Sequence, residues 1–274
     1  MKIIISHDVD HIKPSEHIND LIIPKFLVRS FIECCLHYIS FFELISRFRS
    51  ILSNRWNNID ELMLFDNENN IPSTFFVGVN RGLGLNYSLQ DSKIWINRLL
   101  DNGSPVGVHG ISYDNIEEIQ KEYEIFKKIS QQDSFGIRMH YLRCSNRTLK
   151  FMENTGYLYD SSVYEIKNPY MNGKMWEFPL HLMDSYLFYS NKGLWRNQSL
   201  AQVKKQTIKK VNDAFSNGIK YFTILSHDRE FSESFKTSRD WYIWLIAWLK
   251  DNGFQFINYN NAILEMNKNY DRIS

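Results

Sequence analysis

Side chains that bind metal ions or transfer protons occur in four short clusters that lie far apart in the chain. In chain order they are Asp8 with Asp10, His109, Arg138 with His140, and His227 with Asp228. Histidines and carboxylates from separate segments suit zinc or a similar divalent ion with one position left open for water. Such an ion lowers the pKa of the water toward about 7 and makes hydroxide available for attack on a carbonyl carbon. The residue types therefore indicate metal-assisted hydrolysis.

The spacing of Asp8 and Asp10 suits a division of this chemistry between two carboxylates. They are two positions apart, so they lie on the same face of an extended strand. One of them can bind the ion while the other acts as the general base. An arginine near the base would keep it ionised, and a second histidine could protonate the leaving amine. The spacing alone does not assign these roles to individual residues.

Short β-rich runs alternate with helical patterns along the chain. We expect strands at 2–6, 73–78, 105–108, 136–139, 157–159, 177–180, 221–225 and 254–257. We expect helices at about 57–69, 91–101, 115–131, 199–217, 238–251 and 260–267, with Asp114 as the N-cap of the third. This order predicts a mostly parallel sheet, open or closed into a barrel. The four clusters all end predicted strands, and the C-terminal ends of parallel barrel strands form the face on which active sites are built.

The longest apolar stretch, at 21–52, carries Lys25, Arg29, Glu33 and His37 at intervals of four. This spacing draws one polar stripe along a helix and excludes a simple membrane span. We expect an amphipathic helix that covers the core. A helix that docks on a membrane surface or on a lipid-linked substrate is the alternative.

Composition limits the class of protein. The 32 basic and 31 acidic residues give a formal net charge of +1, which argues against a nucleic-acid-binding protein. A hydrophobic fraction of 43% suits a folded chain, and we expect one domain over residues 1–274. The apolar run after Lys2 is too short for the core of a signal peptide, and the three cysteines make a poor disulfide framework. These features favour a cytoplasmic location.

The order of the clusters resembles that of the polysaccharide deacetylases of carbohydrate esterase family 4, which share the NodB-homology fold. Ser-His-Asp-Val-Asp at 6–10 is similar to the first motif of this family, in which the first Asp is the base and the second a metal ligand. The segments 71–76 and 156–162 resemble family strands, and 106–113 resembles the second motif, which supplies metal-binding histidine. Arg138 falls where the family has an arginine that pairs with the base. Ile-Leu-Ser-His at 224–227 resembles the last motif, whose histidine is the general acid.

This resemblance implies an α/β fold, a deformed and incomplete (β/α)7 barrel of the TIM-like type, with a helical insertion at about 12–70. It implies a hydrolase that removes an N-acetyl or N-formyl group from an amino sugar. Asp8 would be the base, Arg138 would keep Asp8 charged, and His227 would be the acid. Asp10 and His109 would bind one divalent metal ion, for which Zn²⁺ is the expected identity.

The second motif departs from the family pattern, because Tyr113 stands where the family has a second histidine. His140, which occupies a position where the family more often has proline, is our candidate for the third ligand. A contact with the ligands or the substrate is the alternative role for His140. His7 and His11 are weaker candidates as ligands, and we expect His17, His37 and His181 to be structural or surface residues.

The opening His-Asp-Val-Asp together with Arg-x-His resembles a surface-polysaccharide branch of the family, the WbmS type. The substrate implied is an N-acylated sugar of O-antigen or capsule biosynthesis, carried on a nucleotide or a lipid or part of an oligosaccharide, with peripheral membrane contact open. Tyr113, Tyr141 and Trp176 are expected to stack on sugar, and Asp228 is expected to contact substrate or to orient His227. The competing hypothesis is a carbohydrate-binding protein of the same fold that has lost its metal.

Overall fold

Strands and helices alternate through most of the computed structural model, which describes residues 1–189 and 194–270. The strands are β1 Lys2–Val9, β2 Thr74–Val77, β3 Val106–Gly110, β4 Ile137–Met139, β5 Tyr159–Asp160, β6 Tyr170–Asn172, β7 Met175–Glu177, β8 Leu180–Met183, β9 Tyr221–Leu225 and β10 Gln255–Phe256. The helices are α1 Ile22–Cys35, α2 Phe41–Leu52, α3 Ile59–Glu68, α4 Leu89–Asp101, α5 Ile116–Ser130, α6 Asn146–Thr155, α7 Asp184–Phe188, α8 Leu200–Ser216, α9 Lys236–Asp251 and α10 Tyr259–Tyr270.

The strands form one curled sheet in which the parallel strands follow the order β7-β5-β4-β3-β2-β1-β9-β8. β6 joins one edge antiparallel to β7, and β10 pairs with the start of β1. The expected α/β fold with an incomplete parallel barrel is confirmed. The single strand expected at 177–180 is wrong, because the chain forms β7 and β8 on either side of Pro179, and these two strands lie at opposite ends of the parallel order.

Alternation along β1 divides the core into two clusters. Ile3, Ile5 and Val9 pack in the larger cluster with residues of the surrounding helices. Ile4 packs in the second cluster, which contains Phe76, Trp176, Phe178 and Tyr259 among others and fills the inside of the curled sheet. Successive side chains of a strand point to opposite faces, so Ser6, Asp8 and Asp10 share the inner face with Ile4.

The start of α5 differs by one residue from the expectation. Asn115 is the N-cap, and its Oδ1 accepts hydrogen bonds from the backbone N–H groups of Glu117 and Glu118. The prediction of Asp114 as the cap is therefore wrong, because Asn115 is the last residue with extended backbone before the helix.

The segment between β1 and β2 forms α1, α2 and α3. The single helix expected at 21–52 is interrupted, because His37 has a φ of 61° and Ser40 caps a new helix. The expected polar stripe is also wrong at Glu33, which is buried. Across the part of the chain that the structure describes, no helix is long and apolar enough to cross a membrane.

Arg47 of α2 joins the two insertion helices through buried charges. Its guanidinium donates to Glu33 Oε2 at 2.7 Å and to Glu43 Oε1 at 2.9 Å, and its Nε donates to the carbonyl of Ser234. All three charged side chains are at most 2% exposed. Charges buried this deeply are tolerated because each one is paired and hydrogen-bonded.

We predict that Arg47→Ala lowers the free energy of unfolding by about 3–5 kcal/mol, because it leaves Glu33 and Glu43 buried without their main partner. Arg49→Ala removes an exposed arginine from the same helix and should change the value by less than about 0.5 kcal/mol. Urea unfolding followed by circular dichroism measures both. Equal losses in the two variants would contradict the role of the buried pairs.

Candidate metal centre and active site

The carboxyl ends of neighbouring parallel strands bring the predicted residues together. β1 pairs with β9 on one side and with β2 on the other, and β3 lies between β2 and β4. The residues at these ends are Asp8 on β1 and Asp10 directly after it, His109 on β3, Arg138 and His140 on and after β4, and His227 after β9. Parallel pairing thus places side chains that are far apart in sequence around one point. The closeness of the ends of β1 and β9 is also seen in the hydrogen bond between His7 and the carbonyl of Ser226, which are 219 positions apart.

Asp10, His109 and His140 form a triangle of potential ligand atoms. His109 Nε2 lies 3.1 Å from Asp10 Oδ1 and 3.1 Å from His140 Nδ1, and His140 Nδ1 lies 3.3 Å from Asp10 Oδ1. Ligands bound to tetrahedral zinc at about 2.0–2.1 Å stand roughly 3.3 Å from one another. The triangle therefore has the dimensions of three corners of a tetrahedral metal site, and these residues fit a divalent ion.

Backbone carbonyl groups orient both histidine rings. His109 Nδ1 lies 3.0 Å from the carbonyl oxygen of Arg138, and His140 Nε2 lies 3.2 Å from that of Leu83. Each carbonyl accepts a hydrogen bond from the N–H of its ring nitrogen, so in the neutral ring the other nitrogen carries a lone pair directed at the triangle. After His140 the chain turns sharply, because Tyr141 and Leu142 adopt left-handed backbone conformations with φ of 57° and 52°.

The charges in the triangle reinforce one another. Burial raises the pKa of Asp10. The neighbouring histidines, above all His140, lower this pKa by more than burial raises it, so the pKa lies well below its usual value. Burial lowers the pKa of His140, but Asp10 outweighs this effect and raises it. Asp10 is thus an anionic carboxylate, the form that binds a metal ion.

Arg138 and Asp8 form a buried ion pair beside the triangle. Arg138 Nη1 donates to Asp8 Oδ1 at 3.0 Å, and Nη2 donates to Tyr259 Oη at 2.8 Å and to Ser161 Oγ at 3.0 Å. Arg138 is fully buried and Asp8 is 3% exposed. The other carboxylate oxygen of Asp8 lies 3.9 Å from His109 Nε2, so it faces the potential metal ligands.

His227 lies next to Asp10 of the triangle. Its Nε2 lies 3.7 Å from Asp10 Oδ2, and its Nδ1 lies 2.7 Å from Asp184 Oδ1. Asp184 also accepts from the backbone N–H of His227 at 2.7 Å. Burial lowers the pKa of His227, but Asp184 outweighs this effect and raises it well above the usual value, which favours the protonated ring.

The structure does not support Asp228 as the partner of His227. Asp228 is fully buried, and its Oδ2 accepts from the backbone N–H of Asn58, next to the start of α3. Burial raises the pKa of Asp228 to about 8, which favours a neutral carboxyl group. Asp184 orients His227 instead, because it follows β8, whose end lies beside the end of β9.

Two histidines considered as ligands lie elsewhere. His7 points away from Asp8 on β1 and contacts Asp66 Oδ2 at 2.8 Å, where Asp66 also accepts from Tyr242. His11 contacts His17, which in turn contacts Asp20. Of the histidines expected to be structural or surface residues, His37 is exposed, whereas His17 and His181 are buried and hydrogen-bonded.

The aromatic residues expected to bind sugar have different environments. Trp176 is 5% exposed inside the second core cluster, so it offers no face to a sugar and that expectation is not supported. Tyr141 is 67% exposed, and its ring centre lies 4.0 Å from that of His140. Tyr113 stacks under the guanidinium of Arg143 at 3.9 Å. Tyr141 is therefore the aromatic side chain that is both exposed and next to the triangle.

The sequence analysis missed Asp184 and Tyr259, which hold His227 and Arg138. A signal for Asp184 was present, because it directly follows the strand-like run Leu180–Met183 and so stands at a strand end like the other site residues. Tyr259 begins α10 and reaches the inside of the sheet. Its role depends on where α10 packs, which periodicity does not reveal.

Comparisons with solved structures identify the fold. A polysaccharide deacetylase from Mycobacterium smegmatis superposes with a TM-score of 0.64 at 16% identity over 98% of this chain and 91% of that one. Puue allantoinase gives 0.58 at 13% identity over 95% and 87%, and a CE4 family pseudoenzyme from Bacillus anthracis gives 0.51 at 9% identity over 95% and 64%. No protein-family model and no curated protein matches the chain. The chain therefore has the polysaccharide deacetylase fold.

We predict that the purified protein binds about one zinc ion and that His140→Ala, His109→Ala and Asp10→Ala each weaken zinc binding by more than about 100-fold, since each removes one of three ligands. Metal analysis after reconstitution and competition with a chelator measures the affinity. His37→Ala, which removes an exposed histidine, is the control and should keep the ion. Retention of the ion by His140→Ala would show that the third ligand is another residue.

Proposed function

We propose that the protein is a metal-dependent hydrolase that removes an N-acyl group, acetyl or formyl, from an amino sugar. One observation carries this proposal: a metal-sized triangle of Asp10, His109 and His140 lies within 4 Å of both a carboxylate held by an arginine and a histidine held by a carboxylate. Hydrolysis of an amide needs a base to activate water and an acid to protonate the amine, and one such group lies next to His109 while the other lies next to Asp10.

Asp8 is the proposed general base. Arg138 donates a hydrogen bond to one oxygen of the carboxylate, while the second oxygen faces the triangle. A divalent ion held by Asp10, His109 and His140, proposed to be zinc, would lower the pKa of a water and polarise the acyl oxygen. Asp8 would accept the proton of the attacking water and remain fixed by Arg138 as it does so.

His227 is the proposed general acid. The Asp184 carboxylate keeps His227 Nδ1 hydrogen-bonded and leaves Nε2 directed toward Asp10. A ring protonated on Nε2 can donate to the amine nitrogen as the C–N bond breaks. Asp184 acts through His227 and is therefore a positioning residue.

The substrate proposed is an N-acylated sugar of surface-polysaccharide assembly, carried on a nucleotide or a lipid or part of an oligosaccharide. The fold shared with a polysaccharide deacetylase supports a carbohydrate, and exposed Tyr141 next to His140 offers an aromatic face on which a sugar ring can stack. Tyr113 is a weaker candidate for sugar stacking, because its ring already stacks on the guanidinium of Arg143.

A sugar-binding protein without catalysis is the second candidate, because Tyr113 replaces the second histidine of the family motif and a solved structure of this fold is a pseudoenzyme. His140 argues against this second candidate, because its Nδ1 supplies the third ligand atom that the tyrosine at position 113 does not supply. The base, its arginine and the acid are also all present. A degraded site gives no physical reason to keep these buried charges.

We predict that Asp8→Asn keeps the zinc ion but lowers turnover about 10²- to 10⁴-fold, because the amide cannot accept a proton. The assay measures acetate or formate released from N-acetylated and N-formylated amino sugars offered free, nucleotide-linked and lipid-linked. Asp213→Asn, on the exposed side of α8, is the matched control and should match the wild type. Full turnover in Asp8→Asn would remove Asp8 as the base, and zinc binding without release from any sugar would favour the binding protein.

We predict that Asp184→Asn shifts the alkaline limb of the kcat/KM profile to lower pH. The Asp184 carboxylate raises the pKa of His227, so a neutral amide lets this pKa fall and the acid loses its proton at a lower pH. Below the new pKa, turnover should return toward the wild-type value. A uniform loss at every pH, with no shift of the limb, would contradict this electrostatic role.

A further inference from the structure

The insertion helices α1 and α2 bury charged side chains and expose apolar ones. Their buried positions include Ser30, Glu33, Glu43 and Arg47. The exposed apolar side chains in and next to them are Leu21, Val28, Phe31, Leu36, Phe41, Phe42, Phe48 and Leu52. Phe42 and Leu52 are 82% and 86% exposed. A helix at a protein–water boundary normally has the opposite arrangement, so this surface has the properties of one that is covered.

Three of the exposed apolar residues in or next to each helix follow helical spacing and form a stripe, and Phe42 lies beside the stripe of α2. Leu21, Val28 and Phe31 are seven and three positions apart, and Phe41, Phe48 and Leu52 are seven and four apart. Positions at these intervals lie on one side of a helix. Because Arg47 ties α2 to Ser30 and Glu33 of α1, both stripes belong to one packed helix pair. We call the two stripes, together with Phe42, the outer face of α1 and α2.

The charges on the outer face have one sign. Within residues 21–54, all of which the structure describes, both acidic side chains, Glu33 and Glu43, are buried. The basic side chains Lys25 and Arg49 are exposed, and Arg29 is 41% exposed. Two copies of such a face would bring like charges together in a symmetric dimer. Apolar side chains interspersed with basic ones instead match the boundary of a bilayer with anionic headgroups.

The outer face adjoins the candidate metal centre. A Cβ placed on Gly84 would lie 2.9 Å from Ile22 Cδ1, at the start of α1, and 3.6 Å from Tyr141 Oη. Tyr141 follows His140, and the carbonyl of Leu83 accepts from His140. Leu83 and Tyr141 are themselves 47% and 67% exposed. Apolar surface therefore continues from α1 to the rim of the site.

A second segment adds apolar side chains beside α1. The backbone N–H of Arg196 donates to Glu33 Oε1 at 2.9 Å, which places Arg196 next to α1, with two apolar residues just before it in the chain. These residues are Leu194, 75% exposed, and Trp195, 36% exposed. Tryptophan is favoured where an apolar layer meets polar headgroups.

We propose that the outer face of α1 and α2 docks on an anionic phospholipid surface and presents the metal centre to an amino sugar held at that surface. Phe42 and Leu52 enter the boundary between headgroups and acyl chains, while Lys25 and Arg49 contact the headgroups. The sugar substrate in this statement rests on the proposed hydrolase, whereas the docking depends only on α1, α2 and their surroundings.

Vesicle flotation of the full chain tests the docking without any turnover. We expect binding to vesicles of equal parts phosphatidylglycerol and phosphatidylcholine, and binding weaker by at least about tenfold to phosphatidylcholine alone. Phe42→Glu should weaken binding to the anionic vesicles by at least about tenfold. The matched control is Phe215→Glu, because Phe215 is 60% exposed at the end of α8, at the opposite end of the strands from the site. The control should bind like the wild type.

The docking proposal would be overturned if the wild type did not bind anionic vesicles, or if Phe42→Glu and Phe215→Glu weakened vesicle binding equally. It would also be overturned by a dimer in sedimentation velocity that Phe42→Glu dissociates, because that result would assign the outer face to contact with a second copy of the chain. Thermal unfolding of both variants establishes that they are folded. Because flotation requires no substrate, a protein that binds vesicles but releases no acyl group would refute the hydrolase and leave the docking intact.

Discussion

The site depends on the pleat of β1. Alternation sends Ile3, Ile5, His7 and Val9 toward the helices and turns Asp8 and Asp10 into the curled sheet. A shift of one residue in the pairing of β1 with β2 and β9 would exchange the two faces and place carboxylates in the apolar layer. The apolar side chains of the outer layer therefore fix the register, and the register fixes where the two carboxylates lie.

Burial of these carboxylates requires partners from other strands. Asp8 is stabilised by Arg138, whose Nε and Nη2 donate to Ser161 and Tyr259. A network in which every member is satisfied holds its side chains in one arrangement, because any displacement leaves a buried charge unpaired. The base of the proposed reaction is thus held by the same contacts that make its burial tolerable.

The insertion shows the same physics with a different result. Glu33, Arg47 and Glu43 satisfy one another between α1 and α2, while several apolar side chains of these helices face outward. The amphipathic interpretation of 21–52 assumed that polar positions face water. That assumption fails for Glu33, because a paired charge can lie in a helix interface, while Phe31 and Phe42 lie outside this interface. Spacing alone does not show which stripe of a helix is buried.

The sequence by itself determined most of the alternation of strands and helices and the positions of polar residues at strand ends, because both follow from local periodicity. It thereby indicated Asp8, Asp10, His109, Arg138, His140 and His227. Only the tertiary structure decided which partners they meet: Asp184 rather than Asp228 beside His227, Tyr259 beside Arg138, and Trp176 in the core. These contacts join residues on different strands and helices, so they depend on sheet order and helix packing, which no local pattern contains.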